Sequence, residues 1–331
     1  LAVLALDTTP LPRRRRLPTF LMVALLVTVV GAAGVLIAAK RTVNAVSRVP
    51  VVADVLSPTS SNIDNYLLVG SDSRAAGDPN TGETGNVSGN RSDTIMVMRY
   101  DKDSGEASLL SIPRDLYVNV PGHDGKRRIN AAFNDGPDRL VQTVQQELGI
   151  PVHHYVEIDF SGFKSLVDAL GGVEICFLYP TKDDNTGLNI TVPGCQVLDG
   201  TQALAYARSR HYEEFIDGAW KTDPTSDLGR SKRQRDFVNR SLQTALAQIK
   251  TNPFRAGQLI ESMGTALRID EDMDPVGAAS SLRSAVDAGL LTYSLPVVGQ
   301  TIDGNAVLLL GDGAEAILSY FRGDGPPPPS T

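Results

Sequence analysis

The chain has 331 residues, 42% of them hydrophobic, with two cysteines and a net charge of -7. That is enough apolar material for one large core or two modest ones. The acidic balance excludes bulk binding to nucleic acid, which needs a basic footprint to displace counterions.

From Leu17 to Ala39 the chain carries no charge. As a helix at about 1.5 Å per residue this stretch spans roughly 34 Å, enough for a bilayer core of about 30 Å. Arg13 to Arg16 precede it and Lys40 and Arg41 follow, so the positive-inside rule predicts a cytoplasmic N-terminus and a body outside the cytoplasm. A cleaved signal peptide is the alternative, but its apolar run is shorter, about 7–15 residues. Either reading exports the body. The expected organisation is a cytoplasmic tail at 1–16, a transmembrane helix at 17–39, an extracellular stalk at 40–61, a globular domain at 62–322 and a disordered, Pro-rich tail at 323–331. The expected location is the cell membrane, crossed once.

Asn65 to Val69 reads as a strand that ends at Gly70 and runs into SDSR at 71–74. Residues 75–90 are so rich in Gly, Asn, Asp and Thr that an exposed loop is predicted. TIMVMRYD at 94–101 and EASLLSI at 106–112 flank a Gly-containing turn and form a hairpin signal. With Asp101 facing Glu106, Asp93 comes opposite Arg114, so the hairpin joins RSD at 91–93 to IPRD at 112–115. Met96 and Met98 alternate with Ile95 and Val97, which predicts a strand covered from both sides.

Helical spacing then marks 137–148, with a Pro in the first turn and Gly149 beyond its end. A strand at 153–158, a helix at 162–170 capped by Ser161, and a strand at 173–178 follow. Cys176 and Cys195 flank a loop rich in Asp, Asn, Gly and Pro; in an oxidising compartment the pair is expected to be bonded. Asp199 can cap a helix over 200–207 that delivers Arg208 and Arg210 at its end. Asp227 opens a longer helix to about Ile249. On that helix Asp227 and Gln234 lie near the stripe of Val238, Leu242, Ala245 and Ile249, so its polar start faces inward and its free N–H groups suit an anion. Arg230 and Arg233 belong to that site, whereas Lys232 and Arg235 read as solvated charges. Beyond 252 two further helices, near 255–267 and 275–288, strands at LLTYSLPVV and AVLLL, and a closing helix near 313–321 complete an α/β fold, an α-β-α sandwich around a mixed central sheet.

Five motifs thus bring arginines to element ends. Arginine's planar fork binds phosphate oxygens in pairs and keeps its charge when desolvated. Arginines that converge with two aspartates suit a diphosphate bridged by a divalent cation, and Asp72 and Asp93 are the ligand candidates. Walker, Rossmann, nucleophile-elbow and zinc-protease signatures are missing from the sequence. Outside a cell the fitting anion is a lipid-linked diphosphate.

The series LLVGSDSR (67–74), RSDTIMV (91–97), LLSIPRDLYV (109–118), RINAAF (128–133), VDALGGVEI (167–175), LDGTQALAYARSR (198–210) and DLGRSKRQRDF (227–237) resembles, in motifs and in order, the extracellular domain of the LytR-CpsA-Psr family. The resemblance implies a phosphotransferase that moves a glycopolymer from a polyprenyl-diphosphate carrier to peptidoglycan through a phosphodiester. It implies Mg2+ held by Asp72 and Asp93. Arg74, Arg91, Arg114, Arg128, Arg208, Arg210, Arg230, Arg233 and Gln234 would bind the diphosphate. The catalytic set would be Asp72, Asp93, Arg114, Arg208 and Arg210, with Asp227 a candidate base. The family often has lysine where this chain has Arg128, preceded here by Lys126 and Arg127. An apolar tunnel for the isoprenoid is expected from the helices at 137–148, 162–170 and 236–249. The alternatives are a hydrolase at the same site and a non-catalytic lipid-diphosphate binder; a transcription regulator would need more cytoplasmic chain than residues 1–16.

Overall fold

The computed structural model describes residues 46–59, 62–71, 92–251, 262, 266–275, 277–278 and 289–329, with the backbone alone at 93, 226–227, 246 and 249–251. The expected membrane span at Leu17–Ala39, the loop at 75–90 and most of the two helices between 252 and 288 lie outside the described residues. Among the described residues no helix is long and apolar enough to cross a membrane.

The chain enters through β1 (Ser47–Arg48) and a 3-10 turn at Pro50–Val55. Three strands follow, β2 (Ile63–Ser71), β3 (Ser92–Asp101) and β4 (Ala107–Ile112), then a small ribbon of β5 (Tyr117–Asn119) and β6 (Lys126–Arg128). A 3-10 segment at Ile129–Asp135 leads to α1 (Pro137–Leu148), β7 (His154–Asp159) and α2 (Phe160–Ala169). Next come β8 (Val173–Phe177), β9 (Thr181–Asp183), β10 (Leu188–Ile190), β11 (Gly194–Leu198) and α3 (Gly200–Arg208). The hairpin of β12 (Glu213–Ile216) and β13 (Ala219–Thr222) precedes the long α4 (Ser226–Thr251). The chain closes with β14 (Leu267–Ile269), β15 (Leu290–Ser294), β16 (Val297–Ile302), β17 (Asn305–Leu310) and α5 (Ala314–Arg322).

Seven strands make the central sheet in the order β1-β14-β7-β2-β3-β4-β15. It is mixed: β1 with β14, β7 with β2 and β4 with β15 run parallel, and the other neighbours antiparallel. The β3–β4 hairpin has the register expected from sequence, with Ile95 opposite Ile112, Tyr100 opposite Ala107 and the Asp101 N–H donating to the Glu106 carbonyl at 2.9 Å.

Strand alternation splits the sheet into two faces. Leu67, Val69, Ile95, Val97, Leu110 and Ile112 pack on one side against Leu140, Val141, Val144 and Leu148 of α1 and Ile317, Leu318 and Phe321 of α5. On the other side α2 and α4 cover the sheet, and a second core joins Val167, Ile175, Phe177, Tyr206 and Phe237. The result is helix, sheet and helix in three layers.

Some elements differ from the sequence reading. α2 begins at Phe160 and its cap is Asp159, not Ser161: the Asp159 backbone is extended and its carboxylate accepts from the Gly162 N–H at 2.7 Å. The segment expected as stalk joins the body over its described residues, 46–59. Val46, Val49 and Val52 are buried, and β1 pairs with β14, a partner more than two hundred positions away that no local pattern reveals. A four-stranded sheet, β10-β9-β12-β13, takes up part of the loop between the cysteines and a stretch without a sequence signal; its strands are three or four residues long, too short for periodicity to register. Cys176 and Cys195 form a disulfide directly across the β8–β11 pair.

Candidate functional site

The first turns of α4 decide whether GRSKRQR is a surface charge cluster or a site. Arg230 is 3% exposed, and Arg233, Gln234 and Arg235 are each 9% exposed. Only Lys232 among these cations lies in solvent. Arg235 therefore corrects the sequence reading; burial also pulls its guanidinium below the ordinary arginine range. Arg233 is clamped: Nη1 donates to Asp223 at 2.9 Å, Nη2 to the Ser209 carbonyl at 2.7 Å, and the guanidinium lies 4.5 Å from the Tyr212 ring centre. Burial raises the Asp223 carboxyl, but hydrogen bonds from Thr225 and Arg233 outweigh it and hold the group below the usual range. Gln234 donates to the Ala207 carbonyl at 3.1 Å, tying α4 to the end of α3.

α3 is capped as expected, with Asp199 accepting from the Gln202 N–H at 2.8 Å. It ends on Arg208, where a cation also suits the helix dipole. The Arg208 guanidinium lies 4.5 Å over the Phe160 ring, a contact that orients it without neutralising it. Asp183 fixes the turn that follows. Its buried carboxylate accepts from Ser209 Oγ at 2.7 Å and from the N–H groups of Arg210 and His211 at 3.0 and 2.9 Å.

At the edge of the central sheet the β2–β3 register steps from Gly70 opposite Thr94 to Ser71 opposite Ser92. Asp93 is the extra residue of this bulge, a device that re-aims strands beside sites. Asp72 follows Ser71 in the chain, so both candidate metal ligands adjoin the Ser71–Ser92 rung. Ser92 is fully buried and its hydroxyl has no hydrogen-bond partner. Among the described residues this oxygen is left without a partner, one position before Asp93 in the chain, and a hard oxygen donor of that kind is compatible with a divalent cation. Two residues past the last β3–β4 rung, Arg114 lies with its Nε 3.5 Å from Asp115, whose other oxygen is 3.5 Å from Arg128 Nε. Arg128 also donates to the Ala306 carbonyl at 3.1 and 2.7 Å. Asp72, Arg74 and Arg91 lie outside the described residues, as do the side chains of Asp93 and Asp227.

An apolar cavity of about 260 Å³ opens between the sheet, α2, α3 and α4. Leu68, Met96, Val156, Phe163, Phe237 and Leu242 line it, and Arg208, Arg230, Gln234 and Ser241 are its polar side chains from α3 and α4. α2 and α4 contribute as expected, but α1 does not. Its apolar stripe is spent on the opposite face of the sheet. The sequence reading passed over Asp115, Asp183, Asp223, Phe160 and Tyr212, which lie against the arginines or their backbone. Asp115 alone was signalled, by its place in IPRD.

The LytR_cpsA_psr family model matches residues 34–317. The chain belongs to the LytR_cpsA_psr family. It is 39% identical over 266 residues to "Probable cell wall biosynthesis protein LcpB" of Corynebacterium glutamicum, covering 78% of this chain and 61% of that protein. The chain thus spans less than two thirds of that relative's length. It is 30% identical to the polyisoprenyl-teichoic acid–peptidoglycan teichoic acid transferase TagU of Oceanobacillus iheyensis, over 75% of this chain and 71% of that one. Among solved structures, the LytR-Csp2A-Psr enzyme from Actinomyces oris superposes with a TM-score of 0.65 at 25% identity, covering 84% of this chain and 96% of that one. In this member of the LytR_cpsA_psr family, the arginine cluster and the cavity share one end of the sheet.

Proposed function

We propose that this protein is a phosphotransferase that moves a glycopolymer from a polyprenyl-diphosphate carrier to peptidoglycan, forming a phosphodiester during cell wall assembly. The observation that carries the reading is an apolar cavity with two buried or half-buried arginines, Arg208 and Arg230, in its wall. Only an amphiphile with an apolar tail and an anionic head satisfies both parts. The relatives support the same class, since one is named a polyisoprenyl-teichoic acid–peptidoglycan transferase.

The tail of the carrier enters between α2 and α4, and the cavity, near the small end of the usual range of about 300–1,000 Å³, grips its head-proximal units. Arg208 and Arg230 meet the phosphate at the rim. Arg233, fixed by Asp223, supplies charge without reorganising during the reaction, and Arg114 and Arg128 add theirs from beyond the β3–β4 hairpin. Asp72 and Asp93 would hold magnesium. When bound, that ion neutralises diphosphate oxygens as charge moves to the leaving group. A sugar hydroxyl of the acceptor attacks the phosphorus nearest the glycan and polyprenyl phosphate leaves. The apolar segment at 17–39 would anchor the chain, with the N-terminus cytoplasmic and the catalytic domain outside.

The test is release of polyprenyl phosphate by the full chain in detergent, given a synthetic polyprenyl-diphosphate saccharide, a peptidoglycan oligomer and magnesium. Transfer of the saccharide to the oligomer is expected. Release into water alone would make the protein a hydrolase, and binding without release would make it a carrier-binding protein.

A further inference from the structure

A second pocket, of about 420 Å³, lies beside the arginine cluster. Its wall is formed by Asp115, by Thr225 and Leu228 at the start of α4, and by Thr301 and Leu308 of the β16–β17 hairpin. The same helix that turns Arg230 and Gln234 toward the apolar cavity turns Leu228 toward this pocket. The opening turns of α4 therefore stand between the two.

The sheet edge makes the same connection. Thr94 lines the apolar cavity, Ile95 pairs with Ile112 in the last rung of the hairpin, and Asp115 lies three residues beyond Ile112. Arg114 and Asp115 lie in a turn, so these three residues reach at most about 10 Å. A diphosphate between the pockets would touch both.

Phosphoryl transfer requires the entering and leaving oxygens to lie roughly in line, on opposite sides of the phosphorus. On the reading above the leaving polyprenyl phosphate points to the apolar cavity, so the entering hydroxyl comes from the far side. We propose that the second pocket is the acceptor subsite, that it takes a hydroxyl-bearing saccharide of the glycan acceptor, and that Asp115 is the general base. This rests on the transferase reading and names its nucleophile site.

The Asp115 side chain is placed for the task. Among the described residues one carboxylate oxygen is buried without a hydrogen-bond partner, and the charged groups against the carboxylate are Arg114 and Arg128, each at 3.5 Å. Neither arginine is in short hydrogen-bonded contact with it. A diphosphate that engages both cations leaves the carboxylate to the hydroxyl. Asp115 then takes the acceptor O–H proton as the new O–P bond forms. The bond from phosphorus to the bridging oxygen breaks, and its electron pair leaves with polyprenyl phosphate. The proton passes from Asp115 to solvent after the products depart.

The experiment uses the full chain in detergent with a polyprenyl-diphosphate saccharide and a peptidoglycan oligomer, and measures donor Kd, acceptor KM and kcat separately. Asp115→Asn is expected to lower kcat by about 10²–10⁴-fold while donor Kd stays within about twofold. Asp115→Glu should keep part of the activity, and formate should restore part of it to Asp115→Ala. Thr301→Trp, which fills the pocket, should raise acceptor KM and leave donor Kd unchanged. Turnover of Asp115→Asn within about threefold of the parent overturns the proposal. So does a loss of donor affinity that matches the loss of kcat, because Asp115 is then a strut for its two arginines. If the parent chain itself releases no polyprenyl phosphate, the transferase reading fails first, a result distinct from either of these.

Discussion

Strands β2 and β3 show the same alternating residues to two faces with opposite outcomes. Toward α1 and α5 stand Leu67, Val69, Ile95 and Val97, each at most 2% exposed and interlocked with large side chains such as Tyr155 and Phe321. Toward α2 and α4 stand Leu68, Gly70, Thr94 and Met96, which line a cavity. The second face is built from smaller residues at its open end. A methyl at Gly70 would come 3.0 Å from the Thr94 Cβ, so β2 and β3 leave no room there for a side chain. The helix opposite brings Arg230, Gln234 and Ser241 to the same space. A binding site is made here by removing volume from one of two equivalent layers and placing cations at its rim.

The comparison breaks most directly through packing. Leu67→Ala on the sealed face should cost about 2–5 kcal/mol of unfolding free energy, the usual range for a buried leucine that leaves a cavity. Leu68→Ala, one residue along and against space that is already empty, should cost less than about 2 kcal/mol. Denaturant unfolding measures both. Equal losses would mean that the two faces are packed alike.

The next largest effect is on rate. Arg230→Ala should lower turnover by about 10²–10³-fold, as expected for a preorganised electrostatic contact. A variant that melts early at unchanged turnover would return Arg230 to the ordinary structure of the face.

Much of this contrast was legible in the residues. The hairpin register followed from two β-rich runs and one turn. The inward course of Arg230 and Gln234 followed from helix geometry, and α1 and α3 from apolar spacing and their end signals. What the sequence could not disclose depends on partners distant in the chain. Asp183 sits in KDDNTG, a loop by composition, yet is buried because Ser209 and the turn after α3 fold over it. Arg235 was read as solvated because charge runs usually are, but the helix carrying it is covered on more than one side. An empty cavity has no residue signature, since its lining reads as core.

The disulfide sharpens the contrast at its margin. Cys176 and Cys195 are nineteen residues apart, and on the chain-entropy account a loop of that size contributes about 3 kcal/mol. Replacing both by serine should lower the unfolding free energy by that amount and leave carrier binding intact, because the bridge joins β8 to β11 away from the cavity wall. Lost carrier binding at constant stability would make the β8–β11 ribbon part of the site.

The smallest effect separates the helix-covered faces from the turn that presents Arg210. Burial raises the Asp183 carboxyl, but hydrogen bonds from Ser209 Oγ and from the His211, Asn185 and Arg210 N–H groups together outweigh it, so the folded pKa lies below the ordinary 3.8. A depressed carboxylate contributes stability that is fully present above its unfolded pKa and is lost as pH falls through the folded value. Stability should therefore be flat with respect to this group at neutral pH and decline below about pH 4. Asp183→Asn should cost about 1.5 kcal/mol near neutrality, the low end for hydrogen bonds to a charged group, because an amide oxygen keeps some of the bonds. It should also flatten the acid decline. An equal decline in parent and variant would place the acid-sensitive group elsewhere, with Asp223, which is depressed through Thr225 and Arg233, the next to replace.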